Sequence, residues 1–258
     1  MDVPAYLRRI GYTGDVRPSA DVLAALHEAH LQTVPFENLS IGWKEPIVLD
    51  ADRLFRKVVG ARRGGFCYEL NGLFAELLAA LGFRVDKVAA GVAHETGGFG
   101  PMFDHMAMVV TLDERWLADV GFGDSFRRPI RLDERGVQTD GWRNFRIVDR
   151  EDALVLEREE PDGAWRPQFL FTDEARSFDE YAPMCRYHQT SPESHFTTRV
   201  IASLATPDGR VTLSDRKLIE TSADGGRRER ELLDDGEVAR VLGQVFGIER
   251  KEPTWVSA

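Results

Sequence analysis

The sequence predicts an α+β protein, with helical segments first, a run of short strands in the middle and a mixed end. Three observations carry this reading. Apolar residues recur at helical spacing up to Gly82; short, β-branched or alternating runs take over from Phe83; and Pro-Asp-Gly turns at 161–163 and 207–209 punctuate that second regime. This order of elements differs from the regular alternation of strand and helix that builds a doubly wound parallel sheet.

Each element has a local cause. Ser19 is a good N-cap, and Val22, Leu23, Leu26, Ala29 and His30 follow at helical spacing until Pro35 stops the pattern. Asp50 can cap a second segment whose apolar face is Leu54, Phe55, Val58 and Val59, ending at Gly60. A third helix starts near Cys67 and carries Leu70, Leu73, Phe74, Leu77, Leu78 and Leu81 on a broad stripe, with Gly82 in the C′ position. Strands are then expected over Phe83–Val92, Met102–Leu112, Arg115–Val120, Trp142–Val148, Ala153–Glu157 and Trp165–Phe171. The last two are joined by the Pro161-Asp162-Gly163 turn, and a further hairpin links Val200–Leu204 to Val211–Leu213. The polar stretch Thr221–Arg230 reads as a loop or hairpin tip, and Val238, Val241, Leu242, Val245 and Phe246 mark a helix over 236–246.

Composition narrows the function classes. With 258 residues, 43% hydrophobic and 29% charged, the chain has the make-up of an ordinary globular protein with a large core. A formal net charge of -10 argues against a nucleic-acid or anionic-membrane partner, while leaving room for a local basic pocket. The start, Met1-Asp2-Val3-Pro4-Ala5-Tyr6, lacks the basic and apolar regions of a signal peptide, and no apolar run approaches the roughly 20 residues that span a bilayer. Two cysteines, Cys67 and Cys185, make no disulfide framework, so a reducing compartment, the cytoplasm, is expected. Metal binding is not expected, because the histidines are scattered and no Cys-x-x-Cys occurs.

The chemistry concentrates on Cys67. It follows Arg62-Arg63-Gly64-Gly65-Phe66 and opens a helix, where unpaired N–H groups and nearby arginines favour a thiolate, and the glycines would let a substrate approach. The alternative is a buried structural cysteine, the commoner fate of a lone one. His105 lies in a strand with Ala107 and Val109 on its face, either as a base or as a satisfied core histidine. Asp119 sits within an apolar strand before Gly121, where burial demands a partner such as an imidazole; a turn residue is the alternative. His27 and His30 fall on the helix after Ser19 with no evident role, and Gly97-Gly98-Phe99-Gly100 reads as a hairpin loop. Together the trio points to thiol-dependent acyl transfer.

These segments resemble the arylamine N-acetyltransferase family. Arg63-Gly64-Gly65-Phe66-Cys67-Tyr68-Glu69-Leu70-Asn71 is similar to its nucleophile motif, His105 to its base, and Asp119-Val120-Gly121-Phe122-Gly123 to its aspartate motif. Val34-Pro35-Phe36-Glu37-Asn38-Leu39 and Tyr187-His188-Gln189-Thr190-Ser191-Pro192-Glu193-Ser194-His195-Phe196 resemble two further stretches in the family's order. The absence of a long interdomain insertion is like the bacterial members. Cys185 departs from the family's usual polar residue, and Gly100–Asp104 is not a close match.

The resemblance implies a helical first domain (1–82) carrying the nucleophile, a β-barrel-like second (83–185) carrying His105 and Asp119, and an α/β lid (186–258), with a core like that of transglutaminases and cysteine proteases. It implies a Cys67-His105-Asp119 triad that takes acetyl from acetyl-CoA as co-substrate and passes it to an arylamine, arylhydroxylamine or hydrazine. Tyr187, Gly121 and Gly123 are then candidates for CoA contact, with Arg127 and Arg128 either at the phosphates or solvated. Phe36, Phe66, Phe122 and Asp104 are candidates for the acceptor pocket, and Arg63 is expected to pair with Glu37 as structural support. Other enzymes with the same order of residues are a transglutaminase-like thiol hydrolase and an amide synthase. Monomer and homodimer both remain open.

Overall fold

The N-termini of the helices follow their capping residues. In the computed structural model, which describes residues 1–223 and 225–249, Asp2 accepts from the amide of Ala5 at 3.0 Å to start α1 (Val3–Arg9). Asp224, inside the polar 221–230 stretch, and residues 250–258, the end of the expected third domain, lie outside the described residues. Ser19 caps α2 (Ala20–Thr33) through Val22 N–H at 3.2 Å, and Pro35 leads into a two-residue strand β1 (Phe36–Glu37) and a short α3 (Leu39–Gly42). Asp50 caps α4 (Ala51–Phe55), which continues as a π-helical turn over Arg56–Gly60. α5 (Cys67–Ala80) buries eleven of its fourteen residues, as its broad apolar stripe requires.

The strands that follow are β2 (Arg84–Val92), β3 (His105–Thr111), β4 (Arg115–Ala118), β5 (Ile130–Arg131), β6 (Gln138–Thr139), β7 (Asn144–Arg150), β8 (Ala153–Glu159) and β9 (Trp165–Arg176). They pair antiparallel in the order β5-β4-β3-β2-β9-β8-β7-β6, a nearly closed barrel-like sheet. Beyond them come a 3-10 turn, α6 (Ala182–Thr190), which runs across the expected boundary at 185, and α7 (His195–Thr198). A second antiparallel sheet, β10 (Ile201–Thr206), β11 (Gly209–Ser214), β12 (Lys217–Ser222) and β13 (Arg227–Glu231), takes β1 as its other edge strand, and α8 (Asp235–Phe246) packs on it. The polar 221–230 stretch therefore holds the tip of a hairpin and most of β13, whose five residues are all exposed.

Strand alternation divides the core. Met106, Met108 and Val110 of β3 face the helices and join Leu70, Leu73, Phe74 and Leu77 of α5, whereas Ala107 and Val109 face the barrel interior with Leu117, Phe145, Ile147, Leu156, Phe169 and Phe171. Burying these side chains is worth about 1.5–3 kcal/mol each, so α5 is clamped firmly on the sheet. The consequence for the site is placement: the first residue of α5 and the first residue of β3 come together at one end of this seam. No helix among the described residues is long and apolar enough to cross a membrane.

Candidate active site

Cys67 is the first residue of α5 and is 3% exposed. Its sulfur receives a hydrogen bond from the backbone amide of Met106, the residue after His105, which fixes it beside the start of β3. His105 Nε2 lies 2.7 Å from Asp119 Oδ2, both side chains buried, so the ring N–H donates there and Nδ1 is the nitrogen left free. The structure thus brings together the three residues that the sequence singled out, with Asp119 just past the end of β4.

Two residues that sequence reasoning passed over hold this trio in place. Asn71, one helical turn after Cys67, is fully buried; it donates to Asp119 Oδ1 at 2.8 Å and to the Met106 carbonyl, and accepts from Val120 N–H at 2.8 Å. His27 on α2 donates from Nδ1 to the carbonyl of Arg127 at 2.8 Å and accepts the Asp119 N–H at Nε2, 3.1 Å away. Burial pulls the His27 pKa down, in keeping with the neutral ring that this pairing requires. Gly121 completes the loop: its amide donates to Asp119 Oδ1 at 2.8 Å, and a Cβ here would lie 2.7 Å from the Cα of Cys67. Gly123 has a φ of +94°, which favours glycine, and faces the Phe36 ring.

The surroundings of Cys67 oppose the pull of the helix start. Burial pushes the Cys67 thiol well above the usual cysteine range, and the carboxylates of Asp119 and Asp104 add to it. The arginines do not offset this. Arg63 is buried and bound to Glu37 at 2.9 Å and Glu45 at 3.3 Å, as expected for structural support, while Arg62 is exposed. Lys57 likewise meets Glu69 at 2.7 Å, and Glu69 reaches back to the Phe66 amide at 3.2 Å to cap α5. Sulfur in this setting is favoured as an anion only beside a cation, and His105 is the group placed to become one.

The glycines before Cys67 also have a different cause from the one expected. A Cβ on Gly64 would meet the Pro35 carbonyl oxygen at 1.9 Å, and Glu37 N–H donates to Gly65 O at 2.8 Å. Gly64 lets the Pro35 backbone lie against the loop beside the Glu37–Arg63 pair, and Gly65 leaves room for the Glu69 side chain.

The remaining candidates spread around Cys67. Phe122 stands edge-on over the His105 ring with centroids 5.2 Å apart, and Phe36 and Phe66 lie within 6.2 and 5.5 Å of Phe196. Phe66 is fully buried, a backing to the site rather than an exposed wall. Asp104 lies with Oδ1 3.2 Å from His188 Nε2. Tyr187 is exposed and packs edge-on to His188. Arg127 is buried, stacked on Trp142 and donating to the carbonyls of Thr206 and Gly209, so it ties the two sheets together; Arg128 is exposed and meets Glu28 at 3.5 Å. Cys185 is buried, with Gln189 donating to its carbonyl at 3.1 Å and to its sulfur. Among the described residues no cluster of three or more His, Cys, Asp or Glu is arranged to hold a metal ion.

A family model described as N-acetyltransferase matches residues 19–254. The arylamine N-acetyltransferase of Mycobacterium tuberculosis is 36% identical over 255 residues, covering 96% of this chain and 89% of its own length. The proansamycin X synthase of Amycolatopsis mediterranei is 30% identical over 254 residues, covering 95% of this chain and 97% of its own. Among solved structures, the Mycobacterium marinum arylamine N-acetyltransferase in complex with CoA superimposes with a TM-score of 0.90 at 34% identity, over 96% of this chain and 93% of that one.

Proposed function

The chain belongs to the arylamine N-acetyltransferase family, and on that footing we propose that it moves an acetyl group from acetyl-CoA to a small arylamine, arylhydroxylamine or hydrazine through a thioester on Cys67. The single observation that carries the reading is the buried His105–Asp119 pair at 2.7 Å beside a sulfur held by the Met106 amide.

The steps follow from that arrangement. His105 Nδ1 takes the thiol proton as sulfur attacks the thioester carbonyl, and Asp119 stabilises the imidazolium. Backbone N–H groups at the start of α5 stabilise the oxyanion. The CoA sulfur leaves with the proton held by His105, and CoA departs. The amine then attacks the acetyl-Cys67 carbonyl, gives its proton through His105, and releases the cysteine and the N-acetyl product. One site serving two half-reactions gives ping-pong kinetics.

In this reading the helical residues 1–82 supply the nucleophile, the barrel-like 83–185 supply base and carboxylate, and 186–258 act as a lid. Phe36, Phe122 and Asp104 line the acceptor site with Phe66 behind them, and Tyr187, Gly121 and Gly123 contact CoA. Both cysteines are free thiols, which suits the reducing cytoplasm. A second reading, an amide synthase using the same sulfur, is favoured by the 30% likeness to a synthase over nearly the whole chain.

The test is release of free CoA from acetyl-CoA in the presence of an aniline or a hydrazide. Amine-dependent release that disappears in Cys67→Ala is the expected result. Release that survives the substitution, or amide hydrolysis without CoA, overturns the proposal.

A further inference from the structure

A second aspartate–histidine pair flanks Cys67, and the reaction outlined above makes no chemical use of it. Asp104 Oδ1 lies 3.2 Å from His188 Nε2, and His188 Nδ1 lies 3.0 Å from Ser194 Oγ. The His188 ring is stacked on Tyr68 at 6.1 Å and edge-on to Phe66 at 6.5 Å, the two residues on either side of Cys67. The imidazole is almost fully buried, whereas the Asp104 side chain keeps 16% of its surface, so the carboxylate is the end of the pair that faces outward.

The main chain is bent to present it. Phe103 has a φ of +73°, a left-handed conformation that an aromatic residue adopts only under constraint. The constraint is the Tyr68 hydroxyl, shared between the carbonyls of Phe103 at 2.7 Å and Asp104 at 3.1 Å. Gly100 leaves room for the carboxylate, since a Cβ there would come within 2.7 Å of Asp104 Oδ2. Burial works against the charge, but the His188 imidazole 3.2 Å away and the Val92 N–H outweigh it and hold the carboxyl below its usual range. Among the described residues no lysine or arginine lies within ion-pair distance of Asp104; its partners there are His188 and the Val92 N–H, which donates to Oδ2 at 3.4 Å. An oriented carboxylate therefore stands near enough to the sulfur to act on it electrostatically, with no lysine or arginine among the described residues to neutralise it.

Resting on the reading of Cys67 as the acyl carrier, we propose that Asp104, oriented by His188, sets the charge preference of the acceptor: it turns away amines that bear a carboxylate and accepts neutral or cationic ones. Asp104 is the specificity determinant and His188 its positioning residue. The closest probe is the pair 4-aminobenzamide and 4-aminobenzoate, which share size and shape and differ in charge. Repulsion between two carboxylates a few ångström apart in a largely buried site amounts to a roughly tenfold to hundredfold difference in affinity.

Protection of Cys67 from iodoacetamide at pH 7.5 reads occupancy of the site without requiring acetyl transfer, so a failure of acetyl transfer and a failure of this inference are told apart. In the wild type the amide should protect at about tenfold lower concentration than the benzoate, and Asp104→Asn should narrow the gap to roughly threefold or less. Equal protection in the wild type, protection by neither compound, or a gap unchanged in Asp104→Asn overturns the inference. Should that variant not fold, the wild type alone decides. Its preference for neutral iodoacetamide over anionic iodoacetate must exceed that of a small free thiol by about fivefold or more, and an equal preference refutes it.

Discussion

Replacing Asn71 by alanine should be costly although it leaves the triad residues intact. The side chain makes two neutral hydrogen bonds, to the Met106 carbonyl and from the Val120 amide, and one to the Asp119 carboxylate, all in a fully buried position. A neutral bond is worth about 1 kcal/mol net and a charge-assisted one about 1.5–3 kcal/mol, so the total is about 4 kcal/mol. That is a large share of the roughly 5–15 kcal/mol that a domain has to spare. Urea unfolding of wild type and Asn71→Ala, compared at equal slope, measures it. Asn71→Asp separates hydrogen bonding from volume: it keeps the shape but sets a second carboxylate about 2.8 Å from Asp119 Oδ1, so it should be at least as damaging as alanine. A loss below about 1 kcal/mol in Asn71→Ala, or an Asn71→Asp protein as stable as wild type, would refute the reasoning.

Three further outcomes follow from the same contacts. His27→Leu removes the bond from the Asp119 amide and the bond to the Arg127 carbonyl; it should lower stability by about 2–3 kcal/mol and slow Cys67 alkylation, read by melting and by iodoacetamide kinetics. Gly121→Ala sets a Cβ 2.7 Å from the Cα of Cys67, where backbone must shift, so a loss of about 1–3 kcal/mol is expected, along with a displaced sulfur that alkylates at a changed rate. Acid should weaken the fold in the histidine range. Burial depresses the pKa of both His27 and His30, so below about pH 6.5 the unfolded chain binds protons that the folded one does not, and stability falls. Each ring contributes up to about 1.4 kcal/mol per pH unit; urea midpoints at pH 6.5 and 5.5 should show the drop, and His30→Gln should lessen it.

What the sequence revealed was the part written locally. Cys67 behind its glycines, His105 at a strand start and Asp119 before Gly121 each break an apolar pattern, and so do the Pro-Asp-Gly hairpins. What it hid were partners set by distance along the chain. His27 looked idle because its two partners lie 92 and 100 residues away. Asn71 was visible in principle, since a polar residue four positions after Cys67 on an otherwise apolar helix face demands a buried partner. The neighbours of Gly64 and Gly65 were hidden for the same reason: Gly64 admits the Pro35 backbone, and Gly65 admits the Glu69 side chain. β13 gave no apolar signal at all, because all five of its residues are exposed on a sheet edge.

The central claim concerns one sulfur atom. Brief exposure to acetyl-CoA without acceptor, followed by peptide mass mapping, should find one acetyl group, on the peptide that contains Cys67. Adding an aniline before the quench should remove it as the acetanilide appears. An unmodified Cys67 beside a productive reaction, or an acetyl group stably carried by another residue, would contradict the account.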